Sequence, residues 1–168
     1  MFIDSNLEFA DSQTVPLSAS LSTENFLSLG EIDLRPSGED SDAATPKTVD
    51  FSAGEPMYLV IEVNTAIQGT VTSYAFALFT DNATTSDNGQ SSGTKLLDTG
   101  LQTTYLAAGT RLIFALPNGG YERYLTLHGK ATNSSVTVTG GTVSAFITKD
   151  VDQWTSTATR VPATDPAS

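Results

Sequence analysis

The chain predicts an all-β protein, more specifically a jelly-roll-type antiparallel β-sandwich with an extended N-terminal arm and a long acidic loop. Three observations lead there. Serine and threonine make up about a quarter of the 168 residues. Thr is β-branched and Ser competes for backbone hydrogen bonds, so both favour strands and turns over helices. No window repeats apolar residues at helical spacing. Instead, short apolar runs alternate with polar residues and stop at Gly, Pro or Asn.

The elements follow in order. Residues 1–23 form the arm, with Phe2, Ile3, Leu7 and Phe9 set among acids and Pro16 interrupting any strand interior. "ENFLSLG" is the first strand, stopped by Gly30, and a long polar loop with Pro36, Gly38, Pro46 and Gly54 runs on to Pro56. A loop of that length is functional or mobile in most compact domains. "MYLVIEVN" then aligns Met57, Leu59, Ile61 and Val63 on one face, with Glu62 on the other. "VTSYAFALF" sets Tyr74, Phe76 and Leu78 against small Ala75 and Ala77. A weaker strand around "TKLLDTG" follows, then "RLIFALP" and "RYLTLHG", in which Leu125 and Leu127 share a face. The glycine-rich "PNGGYER" between the last two lacks the Lys and helix of a phosphate-binding loop and is expected to be a turn.

The last strand region, "SVTVTGGTVSAFITKD" (135–150), has two readings. With Gly140-Gly141 as a two-residue turn, Val138 lies opposite Val143 and Val136 opposite Ala145, while Thr139 faces Thr142 and Thr137 faces Ser144. Alternatively the glycines open a final strand whose partner is "RYLTLHG". Residues 24–152 thus form the sandwich and 153–168 a polar tail. Strand number and long connections favour a jelly roll over an immunoglobulin-like arrangement.

Composition removes several functions. The chain has no cysteine, so disulfides, thiolate nucleophiles and Cys-based metal sites are excluded. The net charge of −11 spreads 8 basic among 19 acidic residues, 12 of the acids falling before residue 63, which is the opposite of a phosphate-binding surface. No apolar run is long enough to cross a bilayer, and "MFIDSNLEFAD" lacks the pattern of a cleaved signal. Neither nucleic acid nor membrane is an expected partner.

Candidate chemistry is sparse. His128 is the one histidine, expected on a polar strand face with Tyr124 and Thr126, opposite Leu125 and Leu127, and no nucleophile elbow accompanies it. "GEDSD" (38–42) and "DNATTSDNG" (81–89) gather acids and amides, but neither has a calcium-loop pattern. Both read as solvated loops, and no metal or cofactor is expected. A sugar-binding face would have to draw on Tyr58, Tyr74, Tyr105, Tyr121 and Tyr124. Trp154, the single tryptophan, sits in the tail, free to anchor on its own domain or on a partner. The inventory favours a binding or structural protein over an enzyme.

Four further stretches, in order, carry a resemblance: "MFIDSNLEFADSQTV" leading through "LSTENFLSLG", then "GEPMYLVIEV", "LPNGGYERYLTL" and "GTVSAFITKDVDQW". From Met1 to about Trp154 the chain resembles the capsid cement (decoration) proteins of tailed bacteriophages, of the type first described in a Bordetella phage. It departs from that pattern in the acidic insertion 35–53 and in the longer stretch 129–140. The resemblance implies a jelly-roll subunit without enzymatic activity, a homodimer or homotrimer, made in the host bacterial cytoplasm and carried on the outside of the virion capsid. There it would clamp neighbouring capsomers of the major capsid protein. Phe2, Ile3, Leu7, Phe9 and Trp154 are the expected partner interface, the alternative for the arm being a first strand of the sandwich itself. The competing reading is a carbohydrate- or receptor-binding β-sandwich of a virion.

Overall fold

A computed structural model of the chain describes residues 7–15, 27–34, 49–51, 56–82, 93–131, 137–149 and 151. They form ten strands: β1 (Glu8–Thr14), β2 (Leu27–Asp33), β3 (Val49–Phe51), β4 (Tyr58–Gly69), β5 (Tyr74–Asp81), β6 (Thr94–Asp98), β7 (Arg111–Ala115), β8 (Gly119–Tyr121), β9 (Tyr124–Ala131) and β10 (Val138–Thr148). A 3-10 turn, Thr104–Leu106, lies between β6 and β7. The protein is an all-β sandwich of two four-stranded antiparallel sheets. The first sheet has the order β1-β10-β4-β7, the second β2-β9-β5-β6, and β3 and β8 make a separate pair.

Five pairings share a simple logic. β1 pairs with β10, β2 with β9, β3 with β8, β4 with β7 and β5 with β6, every pair antiparallel. The chain is therefore laid down as one long two-stranded ribbon, with β5–β6 at its closed end. The remaining contacts, β10 on β4 and β5 on β9, appear when the ribbon folds over itself and closes the two sheets.

The core lies between the sheets. β4 contributes Leu59, Ile61 and Val63, and β10 contributes Val143, Ala145 and Ile147. β5 adds Tyr74, Phe76 and Leu78, and β9 adds Leu125 and Leu127. These sets alternate along their strands, as a pleated strand with one face inward requires. Packing around Phe76 is aromatic, its ring 5.2 Å from Tyr74 and 6.2 Å from Tyr105. Tyr121 joins the core from β8, and its hydroxyl donates to the Pro117 carbonyl.

Several expectations are corrected. β2 does not stop at Gly30 but runs on to Asp33, and the expected polar loop contains β3. "PNGGYER" is more than a turn, because Gly119–Tyr121 pairs with β3 as β8. The hairpin at Gly140-Gly141 does not form, and "RYLTLHG" is not the partner of the last strand. β10 runs straight through both glycines and pairs with β4 on one side and β1 on the other. The glycines instead mark bulges, since the register shifts between Val138 and Gly140 and again between Gly140 and Thr142. Gly141 has φ +128°, and a Cβ there would lie 2.8 Å from the Ile67 Cα.

The arm also changes character. Residues 8–14 are a strand of the sandwich, so the folded unit begins before residue 24. β1 meets β2 at a tight corner, where a Cβ on Gly30 would lie 1.8 Å from the Phe9 carbonyl oxygen. Only glycine fits there.

Candidate functional site

Of the five residues expected at an interface, the structure places two. Phe9 is 6% exposed and belongs to the core, and Leu7 packs against that core. Both side chains serve the chain's own sandwich, so the first-strand alternative describes this part of the arm. Phe2, Ile3 and Trp154 lie outside the described residues, as do residues 38–42.

His128 departs from its expected polar setting. It is fully buried, stands opposite Ala77 across the β9–β5 pair, and its ring meets the edge of Phe79 at 5.0 Å and 71°. The misreading came from treating β9 as half-buried, whereas Tyr124 through Gly129 are buried on both faces. Among the described residues no three His, Asp or Glu side chains gather into a group that would hold a metal. Of the 81–89 cluster, only Asp81 and Asn82 are described. Asn82 donates through Nδ2 to Glu122 Oε1 at 3.0 Å, and burial, followed by the nearby Asp81 charge, raises the Glu122 carboxyl above its ordinary value.

The material for a sugar platform is consumed by folding. Tyr74, Tyr105 and Tyr121 are fully buried and Tyr124 nearly so, leaving Tyr58 half-buried. Burial also pushes the Tyr74 phenol well above its ordinary value. Among the described residues Leu101 is the one exposed large apolar side chain.

What the sandwich offers is edges and faces. An unpaired strand edge is a template for another chain, and proteins blunt it with bulges or charge. β1 is blunted: its register on β10 shifts twice, Ser12 sits at φ +49° within the second shift, and its N–H is tied to Ser144 Oγ at 2.9 Å. Asn64 Nδ2 donates to the same Ser144 oxygen at 2.7 Å. β2 and β6, the edges of the second sheet, each carry one register shift, and β6 adds a Lys95–Asp98 ion pair at 2.9 Å. β7 pairs with β4 from Tyr58↔Ala115 to Glu62↔Arg111 without any shift. It is the one regular edge of the four.

The face leading to that edge is also distinctive. Phe146 of β10, Val60 of β4 and Ile113 of β7 are register neighbours in one row across the first sheet, and all three alternate with core residues, so they point away from the core. One row along, Ser144, Glu62 and Arg111 line up, with Arg111 Nη2 donating to Glu62 Oε1 at 2.9 Å. An apolar stripe bordered by an ion pair thus runs out to the regular edge.

Compared with models of known protein families and with curated proteins, the chain matches none. Among the described residues no helix is long and apolar enough to cross a membrane.

Proposed function

We propose that the protein is a capsid cement (decoration) protein of a tailed bacteriophage: a jelly roll that binds the outside of the head as a homodimer or homotrimer. It clamps neighbouring capsomers of the major capsid protein against the pressure of packaged DNA and catalyses no reaction. The observation that carries this reading is the folded ribbon. Eight strands in the two orders of this sandwich, generated by one doubled ribbon, are what a jelly roll of two Greek keys requires. The stretches that carry the family resemblance fall on its framework, on β1–β2, β4, β8–β9 and β10.

The regular β7 edge, with Ile113 at its centre, is the surface proposed to take an extended segment of a neighbouring protein, since main-chain pairing along an edge gives affinity and side-chain pockets give choice. Phe2, Ile3 and Trp154 remain part of the proposed interface. A subunit that binds only the closed seam stabilises it by mass action, and an oligomer engaging several capsomers gains through effective concentration. A clamp of this kind needs no buried catalytic group. Saturating expanded shells of the phage's major capsid protein with this protein raises their disassembly temperature. An unchanged temperature at saturation overturns the reading, and specific binding on a glycan array would replace it with the carbohydrate-binding one.

A further inference from the structure

We propose that the β7 edge pairs with the β7 edge of a second copy, the two strands running antiparallel about a two-fold axis through Ile113. Resting on the cement reading, this pairing names the neighbour that the edge holds and selects the homodimer over the homotrimer. The direction of the main-chain groups makes the edge available. Val63 N–H donates to the Thr110 carbonyl at 2.9 Å and Leu116 N–H to the Met57 carbonyl at 2.8 Å, so Thr110 and Leu116 face β4. Both bonds keep the β4–β7 register, and in an antiparallel pair every second residue exchanges bonds with the same neighbour. Leu112 and Phe114 therefore also face β4, while the N–H and C=O groups of Ile113 and Ala115 point outward. β7 is the outermost described strand on its side of the sheet, with Ile113 half-buried and Ala115 exposed.

Charge and register select a second copy as the occupant. A chain carrying −11 repels its own copies, and three of the four sheet edges would bring acids together. β1 holds Glu8 and Asp11, β2 holds Glu31 and Asp33, and β6 holds Asp98. β7, "RLIFA", holds none. An axis at Ile113 also uses the outward groups best. The two Ile113 residues exchange both main-chain bonds, and Arg111 of each copy falls opposite Ala115 of the other, which keeps the two guanidinium groups apart. Moving the axis to Leu112 or Phe114 leaves Ala115 or Arg111 with no opposite residue in the partner strand. At Ile113 the two isoleucine side chains meet on the outer face, each beside Val60 of its own copy, and two four-stranded sheets become one of eight. The contact is closed: it consumes both regular edges and leaves none for further growth.

Sedimentation equilibrium of the purified protein tests this in the absence of any capsid protein, so the outcome is separate from that of shell binding. The expected mass is twice 17.7 kDa, and the Ile113 amide exchanges its proton slowly in the dimer and faster on dilution. Ile113→Lys and Ile113→Asp each give a single-chain mass with the strand signal in circular dichroism retained, because like charges meet at the axis. Mixed in equal amounts, the two variants recover the doubled mass, since position 113 faces position 113 and the charges are then opposite. Gln13→Lys, on the β1 edge, leaves the dimer intact. A mass of one or three chains for the unaltered protein overturns the proposal, as does a dimer that survives Ile113→Lys or dissociates with Gln13→Lys. A mixture that stays single-chain equally overturns it. Should neither charged variant fold, fast exchange of the Ile113 amide in the unaltered dimer is the overturning result.

Discussion

Gly140 and Gly141 are neighbours in β10 with opposite requirements. Gly141 needs a positive φ and has no room for a Cβ beside Ile67, whereas a Cβ on Gly140 meets nothing within 4 Å. Gly141→Ala should therefore cost roughly 1–3 kcal/mol of stability and Gly140→Ala less than about 0.5 kcal/mol. Urea denaturation of the two variants checks this. Equal losses would restore the tight turn, in which both central residues need positive φ. Glu122 gives a pH signature at the same scale. Its folded carboxyl titrates above the ordinary 4.5, so the folded state holds that proton more tightly than the unfolded chain does. The ionised group is then a destabilising one, fully so above its raised value, relieved as pH falls through that value, and neutral in effect below 4.5. Glu122→Gln should stabilise the protein at neutral pH and lose that advantage in acid, which melting curves at pH 7 and pH 4 compare. Residue-level reading succeeded for Leu59, Ile61, Val63, Phe76 and Leu127, whose alternation is local. It missed the burial of His128 and Phe9, which depends on what strands distant in sequence place beside them.

At the scale of elements, the strands with strong alternation were legible: β2, β4, β5, β7 and β9 begin close to where the apolar runs do, as does the weaker β6, whereas the course of β10 was not. β1 was one of two readings of the arm, and β3 and β8 were not read as strands. Each is short or rich in polar and glycine residues, and each is a strand because a partner supplies its hydrogen bonds, β10 for β1 and β3 and β8 for one another. Glycines were read as punctuation, yet Gly30 lets two strands approach and Gly141 lets a strand bulge. Among edges, the absence of any register shift in β7 was invisible in "RLIFALP", since regularity belongs to the pair and not to the sequence. Ile113→Lys places a charge on that edge, where it is half-buried. It should reduce binding to expanded shells tenfold or more while changing folding stability by about 1 kcal/mol or less, as a central interface anchor on a stable scaffold would. Binding isotherms and thermal melts of the variant separate the two effects.

For the whole molecule, the all-β antiparallel class was available from composition and pattern, and the ribbon order was not, because it is fixed by which distant strands meet. That order leaves an object with a filled core, acidic overall, with four edges of which one is regular and one apolar outer stripe. Its charge of −11 discourages non-specific adhesion, so the proposed binding would rest on shape complementarity. The seam of an expanded phage shell is the partner proposed. The direct measurement is co-sedimentation of the purified protein with unexpanded and expanded shells of its phage's major capsid protein, at moderate salt. The account predicts stoichiometric pelleting with expanded shells and little with unexpanded ones. Absence of pelleting with both, at concentrations where the protein is folded, would contradict it.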